Sequence, residues 1–253
     1  MTRFEGRTAV VTGAGGEIGR AVALRLARDG ARMLAVDVDA TRLDATVRAV
    51  EEAGGAAEAF VADVTNAGDV AAYAERAADL GSGRIDLFAN NAGVEGPVAP
   101  IPDYPDEAFD RVIGVNVRGV FLGLKHVLPR MTRGGAIVNT ASTAGVIGAA
   151  GLVAYIASKH AVVGITRTAA LECGGRGIRV NAVCPGPVEG RMMTSLEDGL
   201  GGAEARAAFL AGLPLGRYAR VEEVAGMIGF LLSDEAGFST GGTYLLDGGQ
   251  TVG

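Results

Sequence analysis

The sequence predicts an α/β protein built on a doubly wound, mostly parallel sheet. Three observations carry this expectation. Short apolar, β-branched runs alternate with longer segments of helical period, which is the pattern of βαβ units. A glycine-rich turn separates the first such run from the first helical segment. Gly, Pro and Asp clusters then close later runs, as at Pro185-Gly186-Pro187 and Asp247-Gly248-Gly249.

Taken in order, the first strand is expected at Thr8 to Val11 and the first helix from about Ile18 to Asp29, closed by Gly30. The second strand is Met33 to Val36. Helix Thr41 to Glu52, strand Ala59 to Val61, helix Asp69 to Leu80 and strand Ile85 to Ala89 continue the alternation. A long, unbroken helix is expected from about Asp106 to Met131, followed by strand Ala136 to Thr140, helix Leu152 to Glu172 and strand Arg179 to Val183. Residues 188 to 215 show only weak helical period and read as a substrate loop. Helix Val221 to Leu232 and strand Thr243 to Leu246 end the series. Without a repeat, a low-complexity tract or a linker, one domain over 1–253 is the expectation.

Composition narrows the function. The chain has 253 residues, 49% of them hydrophobic and 21% charged, which suits a globular core. Its net charge of −6 disfavours nucleic acid or an anionic membrane as partner, because both require a basic face. Cys173 and Cys184 have neither disulfide-framework nor zinc-site spacing, and the two histidines make no metal site. No apolar h-region opens the sequence and no apolar run reaches spanning length, so a cytoplasmic protein acting on a small molecule is expected.

The turn Thr12-Gly13-Ala14-Gly15-Gly16-Glu17-Ile18-Gly19 lies between a strand and a helix. Glycines there let the backbone approach a pyrophosphate, whose charge is favoured by free N–H groups and the helix dipole. Asp37 ends the next strand, where a carboxylate accepts from ribose hydroxyls and repels a 2′-phosphate; with no Lys or Arg between Gly13 and Ile18 or at position 38, NAD is preferred over NADP.

Tyr155 and Lys159 are four apart in a helical segment and share a face. A cation within reach lowers a phenol's pKa toward the range useful to a general acid/base. A bare YxxxK is common by chance, but among 23 basic residues only Lys125 and Lys159 are lysines. Ser142 follows the fifth strand by two residues, at the end where open α/β sheets bind ligands. Asn116 lies on an apolar stripe with Phe109, Val112, Ile113 and Val120; a buried amide there must find partners, either as a structural network or in a proton relay. The absence of Gly-x-Ser-x-Gly disfavours an α/β hydrolase.

Together, Thr12-Gly13 to Gly19, Asp63-Val64, Asn90-Asn91-Ala92-Gly93, Asn116, Ser142, Tyr155-x3-Lys159 and Pro185-Gly186 resemble the short-chain dehydrogenase/reductase family in its compact form, over essentially the whole chain. The resemblance implies a Rossmann-type sandwich with a seven-stranded parallel sheet in order 3-2-1-4-5-6-7, and a homotetramer built on the long helices. It implies that Tyr155 exchanges a proton with the substrate oxygen, that Ser142 polarises that oxygen, and that Lys159 lowers the tyrosine pKa and holds the nicotinamide ribose. Asn116 would anchor a water leading from Lys159 to solvent. Gly13, Gly15, Gly16, Ile18 and Gly19 would carry the pyrophosphate, Asp63 and Val64 would meet adenine, Asn90 the neighbouring ribose, and Pro185, Gly186 and Val188 the nicotinamide, with Ala92, Gly93, Tyr155 and Lys159 also among the cofactor-binding residues.

Two positions depart from the family pattern. Glu17 replaces its middle glycine, and Gly190 stands where a threonine or serine often bonds the carboxamide. The expected substrate wall comprises Val94, Glu95, Ala144, Val146, Leu152, Met192, Met193 and Leu196, with Glu95 meeting a substrate hydroxyl or amine. The stretch Asn91 to Lys125 is similar to polyol and cyclic-alcohol dehydrogenases, implying an NAD-dependent exchange between a secondary alcohol and its ketone. A 3-oxoacyl thioester reductase, with Arg191 at a basic entrance, is the runner-up. A non-catalytic NAD-binding sensor is a third reading, and epimerase or dehydratase chemistry a more distant one.

Overall fold

The computed structural model describes residues 3–252. Its seven strands, β1 (Thr8–Thr12), β2 (Arg32–Asp37), β3 (Ala56–Val61), β4 (Ile85–Asn90), β5 (Met131–Thr140), β6 (Arg179–Pro185) and β7 (Thr243–Leu246), form one parallel sheet in the order β3-β2-β1-β4-β5-β6-β7, as the resemblance implies. β1 (Thr8–Thr12) is buried at every position, which is why it reads as an unbroken apolar run. Its side chains serve two cores: Val10 joins a cluster with Ile137 and Val180, while Ala9 and Val11 join one with Val22 and Leu26. The first core lies under α3 (Ala67–Leu80), α5 (Gly119–Val127) and α6 (Val153–Cys173); the second lies under α1 (Glu17–Arg28), α2 (Ala40–Glu52) and α9 (Val221–Leu232).

Crossing from β1 to β4 (Ile85–Asn90) reverses the direction in which the sheet grows. That switch leaves a crevice at the carboxyl ends of the strands, the place where open α/β sheets hold ligands.

Several expected elements change on inspection. The helix expected from Asp106 to Met131 is broken: α4 (Asp106–Ile113) passes through a wide π turn at Gly114–Arg118 before α5. The π turn rotates Asn116 into a buried position beside Val112 and Val120, but Phe109 turns outward with 36% of its surface exposed. By length and composition the helical segment Asp106–Arg130 could span a membrane, which the apolar-run criterion does not detect; here it packs against α3 and α6.

The strand expected at Ala136 starts five residues earlier. β5 (Met131–Thr140) pairs Met131 with Ile85, then resumes at Ala136 after a register shift, with Arg133 and Gly134 exposed. β3 (Ala56–Val61) also begins earlier than expected. β6 (Arg179–Pro185) continues past Val183 to pair Pro185 with Leu246 of β7 (Thr243–Leu246); proline has no N–H to give, and Gly186 N–H makes the next bond to Leu246. The expected substrate loop contains two helices, α7 (Arg191–Leu200) and α8 (Ala203–Ala211). Their poor sequence signal follows from packing: α8 buries no residue and α7 buries only Met193 and Glu197.

Candidate active site

The crevice is a cavity of about 780 Å3 that runs from β2 (Arg32–Asp37) across β1 and β4 to β6. One end is made by the glycine turn. Gly13, Gly15, Gly16, Ile18 and Gly19 all line it. A side chain at Gly19 would collide with the Gly13 carbonyl, and one at Gly13 would come within 2.9 Å of the Ala92 backbone, so the turn closes only with glycine at both places. The first intrahelical bond of α1 runs from Arg20 N–H to Gly16, leaving the N–H groups of Glu17, Ile18 and Gly19 ahead of it without an intrahelical acceptor. A cradle of close backbone, free donors and helix dipole fits a pyrophosphate.

Asp37 lines the same end, and its Oδ2 accepts from Gly15 N–H at 2.9 Å. Asp63 and Val64 line it as well. Arg42 also lines this end, which the sequence reading does not anticipate. Five positions after Asp37, on the first turn of α2, it pairs with Asp39 at 3.3 Å.

Between the two ends, Thr12 stitches β1 to β4: its hydroxyl accepts from the N–H of Asn91 at 2.9 Å and of Ala92 at 3.2 Å. Asn91, Ala92 and Gly93 line the cavity. Asn90 does not. Its amide turns into the core, donating to Val120 O and to Asn139 Oδ1, and Asn139 in turn donates to Thr166. Any role toward a ribose therefore falls to neighbouring residues, while Asn90 and Asn139 form a buried polar tie among β4, β5 and α6. A lone Asn within the apolar run Ala136-Ile137-Val138-Asn139 is the signal that could have revealed the tie.

The other end brings Ser142, Tyr155 and Lys159 together, all lining the cavity. Ser142 Oγ donates to Pro185 O at 3.3 Å and accepts from Ala144 N–H at 3.2 Å, near enough to the Tyr155 hydroxyl to oppose the rise of its pKa, and the Lys159 ammonium sits 5.5 Å from the tyrosine ring centroid. Lys159 donates to Thr140 O at 2.9 Å. The sequence reading expects lysine to lower the tyrosine pKa, and the balance here runs the other way. Burial pushes Tyr155 up to about 12, outweighing the opposing effect of nearby Ser142, and burial pushes Lys159 down to about 8. The ammonium lies over the ring face and donates to Thr140 O, so its charge acts on the phenol through space and not through a hydrogen bond.

Asn116 does not line the cavity. Its side chain accepts from Val94 N–H and donates to Val94 O and Ser158 Oγ, and Ser158 bonds back to Tyr155 O. The π turn thus fixes the loop after β4 onto the helix that carries Tyr155.

Leu152, Met192 and Met193 line the substrate side, with Ala144, Leu196 and Val94, and Pro185, Gly186 and Val188 face the same space. Val146 does not; it is 40% exposed and outside the wall. Glu95 is also absent from the lining. It is buried against Arg191, whose Nη1 lies 2.8 Å from its Oε1. Burial opposes the Glu95 charge, but bonds from Arg191 and Ser195 hold its pKa below the usual carboxylate range. The carboxylate is thereby occupied by protein and not free for a substrate amine. Gln250 and Phe209 complete the lining and carry no local motif in the sequence.

A dinucleotide cradle joined to a half-buried serine and a buried tyrosine and lysine defines a nicotinamide-type oxidoreductase site. Comparisons with known proteins agree. The family described as Enoyl-(Acyl carrier protein) reductase matches residues 13–251. Levodione reductase of Leifsonia aquatica is 41% identical over 99% of this chain and 96% of its own. The 3-oxoacyl-[acyl-carrier-protein] reductase FabG of Thermotoga maritima is 39% identical over 99% of this chain and 100% of its own. The structure of NAD+-bound xylitol dehydrogenase superposes with a TM-score of 0.91 at 37% identity, covering 96% of this chain and 98% of that one. The chain belongs to the short-chain dehydrogenase/reductase family and is an oxidoreductase of that family.

Proposed function

We propose that this protein transfers a hydride between NAD and a secondary alcohol or its ketone, with Tyr155 as general acid/base. The observation that carries the reading is a single cavity with Ser142, Tyr155 and Lys159 together at one end and the glycine cradle at the other. When bound, the nicotinamide supplies the carbon that gives or takes the hydride. In ketone reduction, protonated Tyr155 donates to the carbonyl oxygen and Ser142 polarises that oxygen; in alcohol oxidation, Tyr155 receives the same proton. Lys159 holds a positive charge below about pH 8 beside the developing phenolate. Asn116 keeps the Val94 loop and the Tyr155 helix in register.

NAD is favoured over NADP because Asp37 places a carboxylate at the ribose end and Arg42 is already paired with Asp39. The NAD+-bound xylitol dehydrogenase neighbour supports this choice. The wall of Leu152, Met193 and Leu196, with the Arg191 guanidinium beside it paired to Glu95, suits an alcohol without net charge, cyclic or polyhydroxylated. A 3-oxoacyl thioester substrate is the second reading, supported by the Thermotoga maritima relative and by the exposed face of Arg191.

One domain carries both cofactor and substrate sites in this reading. A cytoplasmic homotetramer completes it, with exposed Phe121 on α5 and Leu171 on α6 as the apolar surface for assembly; light scattering tests the mass. The deciding experiment for function measures NADH and NADPH production over secondary alcohols, polyols and a 3-hydroxyacyl thioester. Turnover with NAD on free alcohols is expected, and NADP-dependent turnover confined to the thioester would replace the reading by the second one.

A further inference from the structure

The two positions at which the sequence leaves its family's pattern touch each other. Both Glu17 carboxylate oxygens accept from Arg191 N–H, each at 3.0 Å. Gly190 holds φ at 145°, and any side chain there would collide with the same carboxylate. Arg191 is the first residue of α7, and the first intrahelical bond comes only at Thr194 N–H, so Glu17 supplies the acceptor that the helix end lacks. The Arg191 guanidinium meanwhile reaches Glu95 after β4. The start of α7 is thus pinned from both banks of the crevice, and α7 carries Met192, Met193 and Leu196 into the substrate wall.

Glu17 is also the first residue of α1, among the free N–H groups that form the pyrophosphate cradle. We propose that Glu17 is a positioning residue that latches α7, and that a dinucleotide's pyrophosphate and this latch oppose each other. The proposal rests on the reading of the cradle as a dinucleotide site. A pyrophosphate on the α1 amides sets negative charge beside the Glu17 carboxylate and weakens its hold on Arg191 N–H. By reciprocity, the latched state lowers dinucleotide affinity by the same factor. The pairing with Gly190 follows: a carboxylate at 17 needs a residue without a side chain at 190.

The test uses the whole protein, with Glu17→Gly and Glu17→Gln. Hydrogen exchange of the protein without dinucleotide should be faster at residues 191–194 in Glu17→Gly than in wild type, with α9 unchanged; equal exchange at 191–194 overturns the latch. Calorimetry with NAD should show about three- to tenfold tighter binding for Glu17→Gly, a gain that shrinks as salt is raised. Glu17→Gln, which removes the charge and keeps an acceptor, should share the gain in affinity while exchanging at 191–194 more slowly than Glu17→Gly. Unchanged or weaker NAD binding in both variants overturns the opposition. Failure of every form to bind NAD overturns the opposition together with the reading of the cradle, and is told apart from a failed latch because exchange in the free protein needs no dinucleotide.

Discussion

The two halves of the crevice are built from different materials. At the cofactor end, shape is set by main chain: Gly13 against Ala92, Gly19 against the Gly13 carbonyl, and Thr12 bonded to the N–H groups of Asn91 and Ala92 just after β4. These contacts sit on fully buried strand ends. At the substrate end, shape is set by side chains near the surface. Glu95 holds Arg191, Glu197 holds Arg206 and Tyr218, and a small cluster of Met193, Leu213 and Tyr218 stands in for a core. Close-packed backbone has few alternative arrangements, whereas ion pairs and half-buried methionines can be exchanged piecemeal. A fixed place for the shared cofactor and an adjustable place for the substrate follow from that difference.

The sharpest break is expected at the seam where both halves meet. Tyr155→Phe removes the oxygen proposed to exchange the proton and should lower kcat by about 10²- to 10⁴-fold, while NAD affinity measured by calorimetry changes little. A parallel loss of NAD binding would mean that Tyr155 belongs to the cofactor end and not to the seam.

The pH dependence probes the same seam without mutation. In the proposed mechanism oxidation needs Tyr155 deprotonated, and burial pushes its pKa up to about 12. Below that value the base form rises about tenfold per pH unit, so kcat/KM for oxidation should climb with pH. Reduction, which needs the proton, should stay level and then fall. Lys159 loses its charge as pH rises through about 8, so the oxidative slope should slacken there. A straight profile in Lys159→Met and a bent one in wild type would assign the bend to the lysine; identical profiles would detach it from the chemistry.

Within the cofactor half, Gly19→Ala should destabilise the fold by about 1–3 kcal/mol through overpacking, read as a lower Tm in thermal unfolding with NAD absent. The colliding atom is a backbone carbonyl, which has no rotamer to yield. An unchanged Tm would show that the turn is softer than its contacts indicate.

What was legible in the sequence divides along the same line. The strand ends and the glycine turn show in the sequence because main-chain geometry restricts residue type: Gly13, Gly19 and Asp37 occupy positions where few others fit. Ser142, Tyr155 and Lys159 were found through spacing and family resemblance, and the fold brings them together. Asn90 and Glu95 were assigned to the crevice because sequence gives a position on a loop but not the direction of a side chain; Asn139 and Arg191 claim them instead. The π turn at Gly114–Arg118 adds a residue to a helical turn without any change in apolar period, so an unbroken helix was the natural reading. Gln250 reaches the cavity from far along the chain, and Arg42 from the helix that follows Asp37, which no local pattern records.

The smallest expected effect tests the adjustable half alone. Glu197 is buried, accepts from Tyr218 at 2.7 Å and pairs with Arg206 at 3.1 Å, while Arg206 also lies over the Tyr218 ring. Glu197→Gln keeps an acceptor for the tyrosine and removes only the ionic partner of a half-exposed arginine, a change worth about 1 kcal/mol or less. Because this trio joins α7 to α8 and touches neither Tyr155 nor the glycine turn, substrate KM should rise about twofold at low salt, with kcat and the KM for NAD held. Raising salt to about 0.3 M should narrow the gap between variant and wild type, since the pair's exposed side is screened. A tenfold fall in kcat would show that the position of α7 reaches the proton-transfer geometry, and the separation of the two halves would then fail.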